Sequence, residues 1–221
     1  MKTRDRIINA AIPVFAKKGR HGAHMEEIAK AARINKAMIY YIFHNKDELY
    51  LETLKHVFDK TWASFMTVNT DISNNLDDYK MVFNEYITKQ INFFYENSDY
   101  TRVLVDAMSN GPEEISLASR LIKENHKDND PKEKMKNFID KGKAEKFIRD
   151  INTDQLIISI TGMVIIYFLT QSITETMDIE IDDETQFMEA RKESIIDLVL
   201  NGILITEKAD NKKKQNRSQG A

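Results

Sequence analysis

The sequence predicts an all-α protein, with an N-terminal three-helix helix-turn-helix head followed by a larger helical body. Three observations carry that prediction. Apolar residues recur at spacings of three and four along most of the 221 residues, as in helices that bury one face. Only 7 Gly and 3 Pro are present, too few for the tight turns of an all-β fold. A hydrophobic content of 42% beside 30% charged residues is that of a globule with a substantial core.

Taken in order, Ile7, Ile8, Ala11, Ile12 and Phe15 share one face of a first helix, which Gly19 stops after Lys17 and Lys18. Pro13 lies inside that pattern, lacks an amide donor, and is expected to bend the helix near Asn9. The spacing then predicts a second helix from Met25 to Ala32, with Glu26 and Glu27 at its positive end. A third runs from Lys36 to Phe43 behind Asn35 as N-cap. Asn45, with Glu48 three residues later, resembles a capping box and opens a fourth helix through Leu49, Leu54, Phe58 and Trp62. Polar breaks at 69–78, 111–112 and 125–131 separate further helices over 79–97, 100–110, 113–124 and 132–149. Two long helices, 153–176 and 183–206, close the fold. The expected domains are a head over 1–47 with its reading motif at 24–43, a body over 48–206, and a disordered polar tail over 207–221.

Several function classes are excluded. With Cys 0 there is no disulfide, thiolate nucleophile or cysteine metal site. No Gly-rich phosphate loop, HExxH or GxSxG occurs, so no catalytic residue, metal or cofactor is assigned. Arg4, Asp5 and Arg6 stand where the apolar region of a signal segment would begin. The apolar stretch Leu156 to Leu169 falls short of the roughly 20 residues of a membrane span. A cytoplasmic location with no membrane partner is expected.

The net charge of -3 conceals an asymmetry. Residues 1–60 hold 12 basic and 7 acidic side chains, net +5, which leaves −8 on the rest. A basic head on an acidic body suits a chain whose head alone meets phosphate. At the corner between the second and third helices, Ile28, Ala29, Ala32, Ile34, Ile39 and Phe43 form an inward face. Lys36, Ala37, Tyr40 and Tyr41 are left outward, with Lys46 at the start of the fourth helix. A small residue beside lysine and tyrosine donors suits base edges and phosphates of duplex DNA, and Lys46 joins free helix-end amides that favour a phosphate. The alternative is a helical protein-interaction module that binds no DNA, its lysines being ordinary solvated surface. Salt dependence of DNA affinity separates the two.

Residues 4–62, and above all 24–49, resemble the N-terminal domain of the TetR family of bacterial transcriptional regulators. The family pattern runs approximately IA–xx–AGVSxGxxYxYFxxKxxL, and Ile28, Ala29, Ala32, Ile34, Tyr40, Phe43, Lys46 and Leu49 match it in register. Phe15, Ala16 and Gly19 match the FAxxG that precedes it. Four positions depart: Arg33 replaces the corner glycine, His24 the usual threonine or serine, Ala37 the glycine of the reading helix, and Ile42 the second aromatic. The resemblance implies a repressor that binds double-stranded operator DNA as a homodimer and is released by a small, mainly apolar effector. It implies DNA contacts from His24, Arg33, Asn35, Lys36, Ala37, Tyr40, Tyr41, His44 and Lys46. For the body it implies an effector pocket, with Trp62, Phe65, Met66, Phe83, Tyr86, Phe94, Met108, Phe138, Met163 and Tyr167 as candidate lining. It also implies a dimer interface on the last two helices, with Ile160, Val164, Phe168, Ile195, Val199, Gly202 and Ile203 as candidates. The fourth helix is then a lever from the DNA to the effector.

Overall fold

The computed structural model describes residues 2–127, 129–174 and 181–205. Among the described residues it contains ten helices: α1 (Thr3–Gly22), α2 (Met25–Ala32), α3 (Lys36–Phe43), α4 (Lys46–Phe65), α5 (Leu76–Glu96), α6 (Ser98–Asn110), α7 (Pro112–Asn125), α8 (Pro131–Ala144), α9 (Thr153–Thr174) and α10 (Glu184–Ile203). The fold is all-α, as the periodicity predicts. The expected tail, 207–221, lies outside the described residues.

The chain forms two compact units. One gathers Met1–Ser64, Asn92–Asp128 and Phe168–Gln171; the other gathers Phe65–Ile91, Asn129–Tyr167 and Ser172–Ala221. The unit that holds the head therefore does not stop at residue 47 but takes in α4, α6 and α7.

In this first unit α1 packs on both α2 and α6. Ile7, Ala11, Phe15, Ile28, Ile39, Phe43, Leu49, Tyr50 and Leu54 are fully buried, and Phe15 meets Tyr50 edge-on at 5.0 Å. The backbone stays helical from Asn9 through Pro13. The non-helical residue inside α1 is Gly19, at φ 66°. Pro13 is tolerated because it lies on the exposed side, where helix curvature already lengthens the backbone bonds.

Gly19 has a tertiary reason. A Cβ there would stand 2.6 Å from Asp106 Oδ1, so a side chain would displace the Asp106 carboxylate. The Asp106 carboxylate accepts from the Arg20 amide at 2.9 Å, the buried Tyr50 hydroxyl at 2.8 Å and Asn110 Nδ2 at 2.9 Å. The Arg20 guanidinium, stacked over the Tyr50 ring at 5.7 Å, bonds Asp47 at 3.2 Å and pairs with Glu114. This cluster joins α1 and α4 to α6 and α7.

The second unit is centred on Tyr79, Val82, Phe83, Ile87, Phe138 and Ile139, all almost fully buried. The Tyr79 ring lies 4.6 Å from Phe138 and 5.3 Å from Phe147. Helix α8 ends at Ala144, short of the expected 149. Lys146 turns into positive φ at 64°, and the Phe147 and Ile148 amides close onto the Gly142 carbonyl at 2.9 and 3.0 Å. The chain leaves the helix there to pair with the end of α10, Arg149 N donating to Ile203 O and Ile205 N to Phe147 O, each at 2.9 Å.

One exclusion drawn from the sequence needs correction. Helix α9 runs for 22 residues, and its Thr153–Thr170 window, of mean hydropathy 1.5, is long and apolar enough to cross a membrane. Length alone does not separate α9 from a membrane span, because Ser159, Thr161 and Gly162 do not interrupt the helix.

Candidate nucleic-acid interface

Helices α2 and α3 meet at residues 33–35. Arg33 holds the left-handed conformation at φ 54°, ψ 48°, the position at which the family pattern has glycine. Its amide donates to Lys30 O at 3.1 Å and that of Ile34 to Ala29 O at 3.0 Å, which closes the end of α2. A residue with a Cβ in this left-handed conformation costs about 1–2 kcal/mol. Asn35 is the N-cap of α3 as expected, its Oδ1 accepting from the Ala37 amide at 2.9 Å. His24 caps α2 without a side-chain bond; instead Glu27 reaches back to its amide at 3.4 Å.

The two faces of α3 differ sharply. Ile39 and Phe43 are 0% exposed, whereas Met38, Tyr40 and Tyr41 are 45%, 41% and 83% exposed. Ala37 is exposed on the same side. Lys36 stands at the first position of α3, its ammonium paired with Glu26 of α2 and 5.5 Å from the Tyr40 ring. The hydrogen bond between them lowers the Glu26 carboxyl pKa and raises that of Lys36. A second pair, Lys18 with Glu27, lies alongside. The head's positive charge is thus partly compensated within the head.

The structure revises the part expected of Lys46. Its ammonium donates to the carbonyls of His21 at 3.1 Å and Ala23 at 3.2 Å, capping the negative end of α1. An ammonium has three donors, so one N–H remains for a phosphate. His44, at φ 41°, is exposed and bonds Glu48 at 2.9 Å through Nδ1. Of the nine DNA contacts expected, Lys36, Ala37, Tyr40 and Tyr41 fall together on or beside the exposed face of α3. Asn35 serves as its cap. His24, Arg33, His44 and Lys46 flank it at helix ends. Met38, which the sequence pattern assigns to neither face, also lies on the exposed side of α3.

The pocket candidates are divided between the two units. Trp62, Phe94 and Met108 belong to the first unit, and Phe65, Met66, Phe83, Tyr86, Phe138, Met163 and Tyr167 to the second. Trp62 stacks on His126 at 5.9 Å. Met108 is 51% exposed and is a surface residue, not lining. Phe83 and Phe138 pack against each other at 5.8 Å. One groove is bounded by Lys80, Asn84, Glu193 and Leu200 and another by Thr70, Ser73, Phe138 and Lys141; of the expected lining Phe138 touches one of them. A polar site lies in the second unit. Gln90 is 1% exposed, and among the described residues its Nε2 has no partner within hydrogen-bonding geometry. The neighbouring Tyr86 hydroxyl is pushed up to about 12 by burial, against hydrogen bonds with Gln90 and Thr161.

The dimer candidates also need correction. Ile160, Val164, Ile195, Val199 and Ile203 are at most 4% exposed within their own chain, so their side chains are already spent on the core. The exposed apolar residues of the same helices are Ile158 and Ile166 on α9 and Leu198 on α10. Gly162 lies between the first two at helical spacing, and Gly202 follows Leu198 by four; a Cβ at either would meet nothing within 4 Å. An apolar stripe reads the same in sequence whether it faces core or partner; at about 100° per residue the exposed and buried faces are opposite on α9 and roughly a quarter-turn apart on α10.

Comparison with known proteins agrees with this geometry. The sequence model for "Bacterial regulatory proteins, tetR family" matches residues 7–53. The HTH-type transcriptional repressor NicS of Pseudomonas putida is 30% identical over 103 residues, 47% of either chain. The HTH-type negative transcriptional regulator IcaR of the Staphylococcus aureus icaADBC biofilm operon is 36% identical over 115 residues, 51% of this chain and 57% of that protein. The chain thus spans about half the length of these curated relatives. Among solved structures, the TetR-family regulator PfmR of Thermus thermophilus superposes with TM-score 0.68 at 18% identity, over 90% of this chain and 96% of that one.

Proposed function

We propose that this chain, a member of the TetR family of bacterial regulatory proteins by its residues 7–53, is a dimeric transcriptional repressor. In this reading α3 enters the major groove of operator DNA, and a small, mainly apolar effector bound in the body releases it. The observation that carries the reading is the two-faced α3, anchored by buried Ile39 and Phe43 and presenting Met38, Tyr40 and Tyr41 to solvent. Tyrosine hydroxyls and the spare N–H of Lys46 set the register on phosphates. The exposed stripe of Ile158, Gly162, Ile166 and Leu198 seats the twofold partner. Two reading heads then fall in successive major grooves, about 34–36 Å apart. The donors of buried Gln90, unpaired among the described residues, give the effector a polar anchor among apolar walls, since a ligand oxygen there would satisfy them. Effector and operator then weaken each other's binding by one common factor.

The test starts by selecting bound fragments from the source genome with purified full-length protein. Affinity for the best fragment is then measured against salt. The expected slope of log K against log salt is steeply negative, about −0.9 for each phosphate neutralised. Lys46→Ala reduces it by about one per subunit. Affinity independent of salt, or no fragment retained, rejects the DNA reading.

A further inference from the structure

The exposed side of α3 carries an unusual chemistry for a groove-reading helix, and it selects the bases. We infer that this face reads thymine methyl groups, so that the core of each half-site is specified by A·T pairs through their C5-methyls. The inference rests on the proposed role of α3 in the major groove and names what α3 recognises there. Between 37 and 43 the sequence is AMIYYIF. It has no Arg or Lys to hold guanine O6 and N7, no Asn or Gln for adenine N6 and N7, and no carboxylate for cytosine N4. The helix's one charged side chain, Lys36, stands at its first position and is drawn toward Glu26 of α2 and the Tyr40 ring.

What the face does offer is apolar. Met38 is 45% exposed and Tyr41 83%, with the Ala37 methyl beside them one helical turn before Tyr41. In the major groove the apolar feature of a base pair is the thymine methyl. Ala37 provides a rigid methyl close to the helix, and Met38 a flexible, polarisable chain that adapts to a methyl in more than one position. Met38 keeps 45% of its surface exposed on this side of α3, which leaves its thioether end available to a groove.

The experiment uses the full chain and a pool of random-sequence duplexes. Bound duplexes are enriched, and each thymine of the winning half-site is replaced in turn by deoxyuridine, which removes the methyl and keeps every hydrogen bond. Burying one methyl is worth about fourfold in affinity, so a contacted thymine loses about fourfold when its methyl is removed. In Met38→Ala protein the penalty disappears at the thymines Met38 touches, while the salt slope stays as in the parent protein. Enrichment of half-sites specified by guanine, with deoxyuridine neutral throughout, overturns the inference and leaves DNA binding intact. A deoxyuridine penalty unchanged by both Met38→Ala and Ala37→Gly likewise overturns it. A pool with no enriched duplex at all is the failure of the DNA reading itself.

Discussion

Replacing Asp106 by Ala tests whether its carboxylate holds α1, α4 and α6 together. The variant leaves two donors with nothing to bond: the hydroxyl of Tyr50, a fully buried residue, and the part-buried amide of Arg20. Each orphaned group costs about 1–3 kcal/mol, whereas Asn110, which is exposed, turns to water. The expected loss is therefore about 2–6 kcal/mol, a fall in Tm on the order of 10 °C for a chain of this length. Tyr50→Phe is milder, at about 1 kcal/mol, because Asp106 keeps the Arg20 and Asn110 donors. The decisive result is the double variant. With Asp106 gone, the Tyr50 hydroxyl is a buried liability, so Tyr50→Phe in that background is neutral or stabilising. The Tyr50 hydroxyl stays protonated throughout, since burial and then its bond to Asp106 raise its pKa. Urea unfolding at pH 7.5, followed by the fluorescence of Trp62, the single Trp, reports on the same unit. If Tyr50→Phe costs the same with and without Asp106, the two side chains are not coupled and the cluster is not the joint described.

Four further outcomes follow. Gly142→Ala destabilises by about 1–2 kcal/mol in a thermal melt despite a helix-propensity gain of about 1 kcal/mol: its Cβ would meet Tyr79 Cε1 at 2.6 Å and Ile148 Cδ1 at 2.7 Å, and Tyr79 is hemmed in by Phe138 and Phe147. A gain in Tm would show the site to be looser than drawn. Arg33→Gly relieves the left-handed strain and stabilises by about 1 kcal/mol; a simultaneous loss of operator affinity shows that the guanidinium touches DNA, and no change in Tm refutes the strain. His56 has its pKa lowered, first by burial and then by Lys60, so the unfolded chain takes up its proton first as pH falls. The associated stability is full above about pH 6.5 and is lost as pH falls through the folded pKa; His56→Phe flattens the decline in urea midpoint between pH 7.5 and 5.0, and an equal decline in both proteins rejects the assignment. Ile158→Glu with Leu198→Glu converts dimer to monomer in sedimentation equilibrium, whereas a dimer that survives both charges places the interface elsewhere.

The helices were legible because their signals are local. The bounds of α2 and α3, the Asn35 cap and the positive φ of Arg33 follow from side chains within a few residues of each other. What could not be read depends on partners distant in sequence. The sequence pattern carries α8 five residues beyond Ala144 because nothing between 145 and 149 forbids a helix; the strand-like pairing of Arg149 with Ile203 O draws the chain out. Ile160 and Ile158 are alike in sequence, yet one is 0% and the other 61% exposed; only packing tells core from free face. Lys46 was legible as a cation at the start of α4, but not as the group that caps the end of α1.

Gly19 shows how a motif can be legible while its cause is not. In sequence it reads as the stop of the first helix, a local function. In the structure the chain continues as helix to Gly22, and φ 66° at Gly19 turns the Arg20 amide onto Asp106. The missing Cβ leaves Asp106 Oδ1 room where an alanine would stand 2.6 Å away. The glycine's partner lies 87 positions onward in α6, in a stretch with no recognisable pattern. Because the same carboxylate takes the Tyr50 hydroxyl of α4, a shift of α6 disturbs the end of α1 and the start of α4 together. Those are also the two helix ends that Lys46 ties to each other. A small displacement of α6 therefore reaches the base of the head through these hydrogen bonds as well as through the packing of α1 on α6.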